Sequence, residues 1–225
     1  MTCDCCPLCG NEETETYGVS RDEVRYLSCP VCRLVFRDRS MLLSEEEEKE
    51  RYAKHENDPA DTRYRKFLAR LWHPVRDRLR TLSEGASLKG IDFGAGPGPT
   101  LNLMAMEDGY PCVTYDPFFN PDREAITRQY AFVTCSEVVE HFNKVSVDMA
   151  LLTSLVEPGG LLGIMTSRHF EDTNILKWHY REDPTHISFF HNDTVAYVAK
   201  QYGFEEPEFV SKSVVLLRKR TEDAC

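Results

Sequence analysis

The feature that most constrains the fold is a glycine-rich turn after a short apolar run, in residues 88–99 (LKGIDFGAGPGP). The segment 91–93 (IDF) predicts the end of a buried strand, and the glycines at alternate positions after it predict a sharp turn. Because glycine has no Cβ, such a turn brings bare backbone close to whatever lies beside it. The spacing D-x-G-x-G-x-G differs from the dinucleotide fingerprint, whose glycines cradle a pyrophosphate. The turn therefore predicts either a ligand-binding loop or a tight structural connection.

A second carboxylate favours the ligand-binding interpretation. Residues 110–117 (YPCVTYDP) predict another short strand, which ends at Asp116. In nucleotide-binding α/β folds, an acidic residue at about this distance from the glycine turn accepts hydrogen bonds from both ribose hydroxyls. We therefore expect a nucleoside-containing ligand beside the glycine turn and Asp116.

Length and charge narrow the class of protein. A chain of 225 residues can hold one full core plus an appendage. The formal net charge of -10 argues against a broad electrostatic surface for nucleic acid, which needs clustered Lys and Arg. No apolar run approaches the roughly 20 residues that span a bilayer, and the N-terminus does not resemble a signal peptide. The sequence predicts a cytoplasmic protein without a membrane span, in which cysteines stay reduced and form no disulfides.

Paired cysteine spacing near the N-terminus predicts a small metal module. Cys6 and Cys9 form one C-x2-C pair, and Cys29 and Cys32 form a second one, as in structural zinc ribbons. Four thiolates fill the coordination shell of zinc, so the expected role is structural and not catalytic. Cys3 leaves the register open, because Cys3 and Cys6 form a competing pair. Reduced cysteines without an ion are the other alternative.

Residues 41–85 predict a helical bridge between this module and the rest of the chain. Ser44 precedes a run of glutamates, which is the pattern of an N-cap followed by acids in the first helical turn. Further along, apolar residues recur at helical spacing and are expected to pack on the main domain. They are Phe67, Leu68, Leu71, Trp72, Val75 and Leu79.

Three later stretches complete an ordered series. Residues 132–142 (FVTCSEVVEHF) predict a strand that leads into an acidic turn, residues 158–165 (PGGLLGIM) a turn and a strand, and residues 209–217 part of a hairpin. With the glycine turn and Asp116, this series resembles the motifs of class I S-adenosylmethionine (SAM)-dependent methyltransferases. The resemblance covers about residues 86–218, and its specificity lies in the order of the motifs.

The resemblance implies an α/β fold, a Rossmann-like doubly wound sheet with a C-terminal antiparallel hairpin. It implies that Asp92 faces the amino acid end of SAM, that the glycines let the loop pass beneath it, and that Asp116 binds the ribose. The residues implied to bind SAM are Asp92, Phe93, Gly94, Gly96, Gly98, Asp116, Pro117 and Ser136. Too few residues follow Asp116 for a full helix and strand, so the second crossover is expected to be truncated.

An acid and histidine motif carries the expected catalytic chemistry. Glu137, Glu140 and His141 stand at i, i+3 and i+4, so a helical turn would direct all three to one side. The pattern resembles the divalent metal ligands of ubiquinone-pathway O-methyltransferases and small-RNA 2'-O-methyltransferases, which a later histidine completes; here that residue is His186. A bound Mg2+, Mn2+ or Zn2+ ion would act as a Lewis acid. The candidate catalytic residues are His141 and Glu137. The alternatives to a metal site are His141 alone as a metal-free general base, and a structural His141 with Glu137 bordering SAM, as in methyltransferases that carry the motif without a metal.

Two segments are candidates to contact the substrate. In many small-molecule methyltransferases the segment before the glycine motif forms a lid, and by that resemblance Tyr52, His55 and Tyr64 contact substrate; the alternative is a domain seam. The segment 167–191 is expected to close over a substrate or to pack under the first helical segment. Its aromatic and basic residues include Arg168, His169, Phe170, Trp178, His179, Tyr180, Arg181 and Phe189. Either arginine could bind an anionic group, although lone arginines more often lie on the surface.

These inferences predict three parts: a zinc-ribbon-like module in 1–40, a helical linker or lid in 41–85 and a SAM-binding methyltransferase domain in 86–225. The expected activity is methyl transfer from SAM to a small-molecule acceptor, at oxygen, with or without a second divalent ion beside the structural zinc. One alternative is an RNA methyltransferase, since a zinc ribbon before a methyltransferase core also resembles some ribosomal RNA guanine methyltransferases. Another is an inactive interaction protein that retains the zinc ribbon.

Overall fold

The computed structural model of the protein describes residues 4–54, 57–82 and 88–221. The helices are α1 (Glu45–Tyr52), α2 (Thr62–Leu82), α3 (Leu101–Glu107), α4 (Val145–Ser154) and α5 (Asn192–Gln201). The strands are β1 (Glu15–Val19), β2 (Arg25–Ser28), β3 (Val35–Arg37), β4 (Gly90–Phe93), β5 (Cys112–Tyr115), β6 (Tyr130–Ser136), β7 (Val156–Met165), β8 (Ser188–Phe189), β9 (Glu208–Phe209) and β10 (Val214–Arg218).

The main sheet has six strands in the order β5-β4-β6-β7-β10-β9. Strands β5, β4, β6 and β7 are parallel, and β10 pairs antiparallel with both β7 and β9. The predicted α/β fold with its C-terminal antiparallel hairpin is thus confirmed. The connection between β5 and β6 contains only a short 3-10 helix, Ala125–Thr127, in agreement with the predicted truncated crossover.

Helices cover both faces of this sheet, because alternate residues of each strand point to opposite faces. On one face, α2 and α3 pack on Phe132, Leu161 and Leu216. On the other face, α4 and α5 pack on strand residues that include Val133 and Leu162. The predicted apolar stripe of α2 is buried at Leu68, Leu71, Trp72, Val75 and Leu79, while Phe67 is partly buried.

The capping pattern at the start of the helical bridge is also confirmed. The Ser44 hydroxyl accepts a hydrogen bond from the backbone N–H of Glu47, and the Glu47 carboxylate accepts one from the N–H of Ser44. This reciprocal capping box begins α1 at Glu45, with four glutamates in the first turn. No residue of α1 is buried, so the helix lies at the surface of the molecule.

The N-terminal residues form a second, four-stranded sheet in the order β1-β2-β3-β8. Its last strand belongs to the long segment after β7, and Val35 pairs with Phe189 across it. Phe36 is buried in the same apolar cluster as residues of the main sheet, as are Cys6 and Cys32. The N-terminal module therefore shares its core with the main domain.

No helix in the described part of the chain is long and apolar enough to cross a membrane.

The cysteines of the described residues differ in their oxidation state. The expectation that no cysteine forms a disulfide is wrong for Cys5, which is disulfide-bonded. The free thiols are those of Cys6, Cys9, Cys29, Cys32, Cys112 and Cys135.

The packing of α2 on the sheet yields a stability prediction. Leu71 is fully buried, and its side chain lies against Gly163 of β7. We expect Leu71→Ala to lower the free energy of unfolding by about 2–5 kcal/mol, because it removes buried methyl groups and leaves a cavity. Urea denaturation measures this change. Leu103 on α3 is the matched control, since it is 36% exposed and Leu103→Ala should cost only about 0.5 kcal/mol. Equal losses in the two variants would contradict the assigned packing.

Candidate active site

A cavity of about 740 Å³ opens at the carboxyl ends of β4, β5 and β6. Its volume lies within the range of small-molecule sites in proteins. It is lined by residues 94–97 of the glycine loop (residues 94–98), by Asp116 after β5 and by Ser136 and Glu137 at the end of β6. Carboxyl ends of parallel strands are where open α/β sheets bind ligands.

The glycine loop turns as the sequence predicted, with positive φ angles of 77° at Gly94 and 67° at Gly96. At two of its glycines, the absence of a side chain allows close packing against other parts of the protein. A Cβ on Gly94 would lie 2.4 Å from a methyl group of Val138, and a Cβ on Gly98 would lie 1.8 Å from the carbonyl oxygen of Asn57. Gly94 and Gly96 line the cavity, whereas Gly98 is not among the lining residues. Gly98 thus serves packing against the segment before α2.

Asp116 organises the cavity beside this loop. One carboxylate oxygen accepts a hydrogen bond from the N–H of Gly96 at 2.8 Å, and the other accepts from the N–H groups of Phe118 and Phe119 at 2.9 and 3.0 Å. The carboxylate is 6% exposed. These bonds lock the glycine loop to the turn after β5. Pro117 and Phe118 line the cavity next to it.

Asp92 is placed differently from Asp116. It is buried inside the sheet, where its carboxyl oxygen accepts a 2.8 Å hydrogen bond from the hydroxyl of Thr134. Asp92 is not among the residues that line the cavity, although Phe93 next to it is. Burial raises the pKa of Asp92 to about 7, against a smaller lowering by the Thr134 hydrogen bond.

The helical bridge covers the cavity. Tyr52, Asn57 and Tyr64 all line it, and the ring of Tyr52 lies 5.7 Å from that of Phe118. The guanidinium of Arg51 pairs with the carboxylate of Asp183 at 2.7 Å and so ties α1 to the segment after β7. Of the three residues expected to contact substrate, Tyr52 and Tyr64 face the cavity, and His55 lies outside the described residues.

Two histidines meet at the same cavity. The rings of His141 and His186 are 4.7 Å apart, and both residues line the cavity. Nδ1 of His141 donates to the carbonyl oxygen of Thr185 at 2.9 Å, and Nδ1 of His186 donates to that of Tyr180 at 2.6 Å. Because a carbonyl can only accept, these bonds place a proton on Nδ1 of each ring and fix the orientation of both imidazoles.

Glu140 joins these histidines, whereas Glu137 does not. Ligand atoms of Glu140, His141 and His186 lie within 4.8 Å of one another; we call these three residues the Glu/His cluster. Glu140 is fully buried, and its Oε2 accepts no hydrogen bond from any residue that the structure describes. Among the described residues, the group that could hold an ion at this place omits Glu137. The predicted helical turn is the 3-10 helix Val139–His141, and Glu137 precedes it with a φ angle of +52°.

Tyr180 is a site residue that the sequence analysis named only among the aromatic residues of 167–191, without a role of its own. Its hydroxyl is 3.1 Å from Oε2 of Glu137 and also hydrogen-bonds to Oε1 of Glu140. A phenol carries one proton, so it can donate to one carboxylate, and the other contact requires a proton on the carboxyl group. Burial raises the pKa of both Glu137 and Glu140, which favours such a proton. The many aromatic residues in 167–191 indicated that this segment contributes to the site. They did not indicate which aromatic side chain reaches it.

The rest of this segment packs on the N-terminal sheet. Ile175, Tyr180 and Phe189 share an apolar cluster with Tyr26 and Val35. The segment thus lies under the N-terminal sheet and also sends His186 into the cavity.

Neither candidate arginine lines the cavity. Arg168 is buried and donates to the side chain of Asn192 and the carbonyl oxygen of Ser211. Arg181 pairs with Asp22. Both arginines therefore have partners within the protein, away from the lining of the cavity.

The four paired cysteines form one cluster, with all four sulfur atoms within 4.8 Å of one another. The Sγ atoms of Cys6 and Cys32 are 3.5 Å apart, and those of Cys9 and Cys29 are 3.4 Å apart. A tetrahedral zinc ion with Zn–S bonds of about 2.3 Å separates its sulfurs by roughly 3.8 Å, so the cluster is close to that geometry. We call these residues the cysteine cluster. Cys3, the competing ligand, lies outside the described residues.

Comparison with known protein families identifies the family to which this chain belongs. Residues 61–206 match the model of a family described as "Methyltransferase domain". The chain belongs to this family. The matched range contains the glycine loop, Asp116 and the whole Glu/His cluster.

Curated methyltransferases with similar sequences align over a shorter range. The chain is 32% identical over 77 residues to a ubiquinone biosynthesis O-methyltransferase of Photorhabdus laumondii, and 34% identical over 77 residues to that of Sodalis glossinidius. Each alignment covers 34% of this chain, and it spans only 32% and 31% of the two relatives.

Solved methyltransferase structures share the fold. An O-methyltransferase family protein of Burkholderia thailandensis superimposes with a TM-score of 0.51 and 16% identity, over 78% of this chain and 63% of that one. The 1,6-didemethyltoxoflavin-N1-methyltransferase of the same organism, solved with S-adenosylhomocysteine, gives 0.55 and 12% identity, over 92% of this chain and 99% of that one. At these identities the likeness concerns the fold alone.

The burial of Asp92 predicts a pH dependence of stability. Its pKa of about 7 in the folded state exceeds the unfolded value of about 3.9, so the folded state binds more protons between these values. The free energy of unfolding should therefore fall as pH rises from about 4 to 7 and level off above. Asp92→Asn keeps the acceptor for Thr134 and removes the charge. We expect the variant to be more stable than the wild type at pH 8, by up to about 4 kcal/mol, and about equal to it at pH 4.

Urea denaturation at the two pH values measures this difference, and comparison at each pH cancels the titration of other groups. Asp172→Asn, at an exposed carboxylate, is the control and should match the wild type at both pH values. A constant difference between Asp92→Asn and the wild type across this range would show that Asp92 ionises as it does in the unfolded chain.

Proposed function

We propose that the protein transfers the methyl group of SAM to a hydroxyl oxygen of a small molecule. The observation that carries this proposal is that one cavity is lined both by the glycine loop with Asp116 and by the two histidines with Glu137. Family membership supports methyl transfer as the reaction class. The ubiquinone biosynthesis O-methyltransferases, similar over 77 residues, support oxygen as the acceptor atom.

The residues around the glycine loop fit SAM. Gly94 and Gly96 present backbone without Cβ atoms to the cavity, and the Asp116 carboxylate lies at the end of β5 beside them. We assign Asp116 to the ribose hydroxyls, Pro117 and Phe118 to a wall of the adenine site, and Phe93 and Ser136 to the remaining contacts. The Oγ of Ser136 supports its assignment, since it is buried and has no hydrogen-bond partner among the described residues. Asp92 and Gly98 would act through the loop that they support.

When bound, SAM supplies an electrophilic methyl group on a sulfonium that is already a good leaving group. What remains for the protein is to place the acceptor oxygen in line with this methyl group, at about 3 Å, and to take up its proton. Tyr52 and Tyr64 cover the cavity and can exclude water from it. Glu137 lines the cavity outside the Glu/His cluster, and we assign it as the proton acceptor.

The Glu/His cluster fits a divalent cation on two observations. Ligand atoms of its three residues lie within 4.8 Å of one another, and Glu140 has a buried carboxylate oxygen without a partner among the described residues. One carboxylate and two imidazoles suit Mn2+ or Zn2+ more than Mg2+. A bound cation would supply Lewis acidity that lowers the pKa of the acceptor hydroxyl. In this proposal Glu140, His141 and His186 hold the ion, and Glu137 does not.

The cysteine cluster fits a structural zinc ion, given four sulfurs near tetrahedral spacing. Each knuckle closes by a hydrogen bond to the carbonyl of its first cysteine, from the N–H of Gly10 at 2.9 Å and from that of Arg33 at 2.9 Å.

We propose that the chain divides into this N-terminal module in 1–40, a cap over the cavity in 41–85 and the SAM-binding domain in 86–225. The pairing of β3 with β8 joins the first and last parts into one structure.

The proposed ribose contact predicts the effect of Asp116→Asn. The amide replaces a charged acceptor, and a hydrogen bond to a charged group contributes about 1.5–3 kcal/mol, so SAM should bind about 10- to 100-fold more weakly. Isothermal titration of the folded variant with SAM measures the change. Asp172→Asn, at an exposed carboxylate outside the cavity lining, should leave the affinity unchanged. If the folded wild-type protein binds no SAM, the proposed function is wrong.

The proposed zinc site predicts the effect of Cys32→Ala. The wild-type chain should retain zinc at the cysteine cluster through gel filtration, and the variant should lose this zinc and melt at a lower temperature. The reason is that the ion joins the two knuckles and contributes folding free energy. Metal analysis of the purified proteins, with thermal melting, measures both effects. Cys112→Ala is the control, since Cys112 is also buried but stands outside the cluster. Equal zinc content in Cys32→Ala and the wild type would disprove the assignment.

A further inference from the structure

Tyr180 contacts Glu137, Glu140 and His186, and the proposed reaction gives it no role so far. It lies on the 3-10 helix His179–Glu182, between β7 and β8, and is 9% exposed. Its hydroxyl hydrogen-bonds to Oε1 of Glu140 and is 3.1 Å from Oε2 of Glu137. The hydroxyl is also 3.3 Å from that of Thr166, on the strand side of the cluster.

The same residue holds one of the two histidines. The backbone carbonyl of Tyr180 accepts the hydrogen bond from Nδ1 of His186, and the two rings pack with centroids 4.2 Å apart. Tyr180 therefore contacts two members of the Glu/His cluster through separate groups. The hydroxyl reaches Glu140, and the backbone and ring reach His186.

The hydroxyl of Tyr180 engages one of the two carboxylate oxygens of Glu140. The terminal torsion of a glutamate side chain has broad minima, so packing alone does not set the plane of the carboxylate. Here the bond to Tyr180 occupies Oε1, and Oε2 stays buried without a partner among the described residues. In a protein interior an unpaired carboxylate oxygen is costly, and a bound cation offsets that cost.

Aromatic residues that do not line the cavity pack on the ring of Tyr180. Its ring packs with Trp178 at 5.1 Å and with Phe189 at 6.4 Å, and Phe189 belongs to the N-terminal sheet. Tyr26 of the same sheet packs on Phe189 at 5.9 Å. The N-terminal sheet thus supports the residue that contacts both Glu140 and His186.

We propose that Tyr180 is the positioning residue of the Glu/His cluster, whose hydroxyl orients Glu140 and whose backbone orients His186 so that both share one divalent cation with His141. This inference rests on the proposed function for the existence of the cation site, and it assigns the group that orients it. Tyr180 acts through these ligands and does not itself contact the acceptor.

The variant Tyr180→Phe tests this role, because it removes only the hydroxyl and keeps the ring and the backbone carbonyl. Residues that orient metal ligands typically contribute 10- to 100-fold to metal affinity. We expect Tyr180→Phe to bind Mn2+ about 10- to 100-fold more weakly than the wild type, measured by isothermal titration of the full chain with zinc already bound at the cysteine cluster. Unchanged Mn2+ affinity would overturn the proposal.

Tyr26→Phe is the matched control. It removes a hydroxyl from a tyrosine that is 1% exposed in the same apolar cluster and that does not line the cavity. We expect it to bind Mn2+ like the wild type, with the near-ultraviolet circular dichroism of both variants confirming that they fold. If Tyr26→Phe weakens Mn2+ binding as much as Tyr180→Phe, the effect belongs to the apolar cluster and the proposal fails.

A double-mutant cycle with Glu140→Gln provides a second measurement that does not depend on the stability of one variant. If Tyr180 acts through Glu140, Tyr180→Phe should weaken Mn2+ binding much less in the Glu140→Gln background than in the wild type. Fully additive losses would show that the hydroxyl does not act through Glu140 and would overturn the proposal.

The SAM affinity of the same samples separates this inference from the proposed function. We expect Tyr180→Phe to bind SAM like the wild type. A wild type that binds SAM but no Mn2+ would overturn the cation site and the role of Tyr180, and it would leave methyl transfer standing. A wild type that binds Mn2+ but no SAM would overturn the proposed function, and the Mn2+ comparison would still decide the role of Tyr180.

Discussion

The site depends on the in-register parallel pairing of β4 with its two neighbours. Phe93 lies opposite Tyr115 of β5 on one side and Cys135 of β6 on the other. All three strands therefore end at one edge of the sheet, and the residues that follow them meet there. The glycine loop, Asp116 and Glu137 come from segments far apart in the chain, and this pairing alone brings them to one cavity. A shift of register by one residue would turn each strand over and separate them.

Around this edge, burial changes the chemistry of the acidic groups. Asp92 stands inside the sheet and accepts a hydrogen bond from the hydroxyl of Thr134, whereas Asp116 accepts three backbone hydrogen bonds at the cavity. Two carboxylates of similar sequence context thus have different roles. Asp92 belongs to the packed sheet, and Asp116 joins the glycine loop to the turn after β5. The same contrast separates Glu140, which is fully buried, from Glu137, which reaches the cavity.

The N-terminal module is part of the site's support. Its sheet includes β8, and β8 directly follows the segment that carries Tyr180 and His186. The apolar cluster of Tyr26, Val35 and Phe189 packs against Tyr180, and the cysteine cluster shares a core with the main sheet. Arg51 adds a link from α1 to Asp183. The N-terminal module, the helical bridge and the cavity are therefore held in one packed structure.

The sequence alone determined the local features: the capping box at Ser44, the buried stripe of α2, the glycine turn, the short crossover after Asp116 and the two cysteine knuckles. Each depends on residues close together in the chain, where periodicity and turn chemistry act directly. Tertiary structure decided the rest. A helical spacing predicted one turn that carries Glu137, Glu140 and His141, but the observed 3-10 helix begins only at Val139, and Glu137 precedes it with a φ angle of +52°. The hydroxyl of Tyr180 contacts the carboxyl groups of both Glu137 and Glu140. A Cβ on Gly98 would clash with the carbonyl oxygen of Asn57, and Tyr180 contacts Glu137 and Glu140 from a distant segment of the chain. Such contacts join residues far apart in the chain, and no local pattern in a single sequence encodes them.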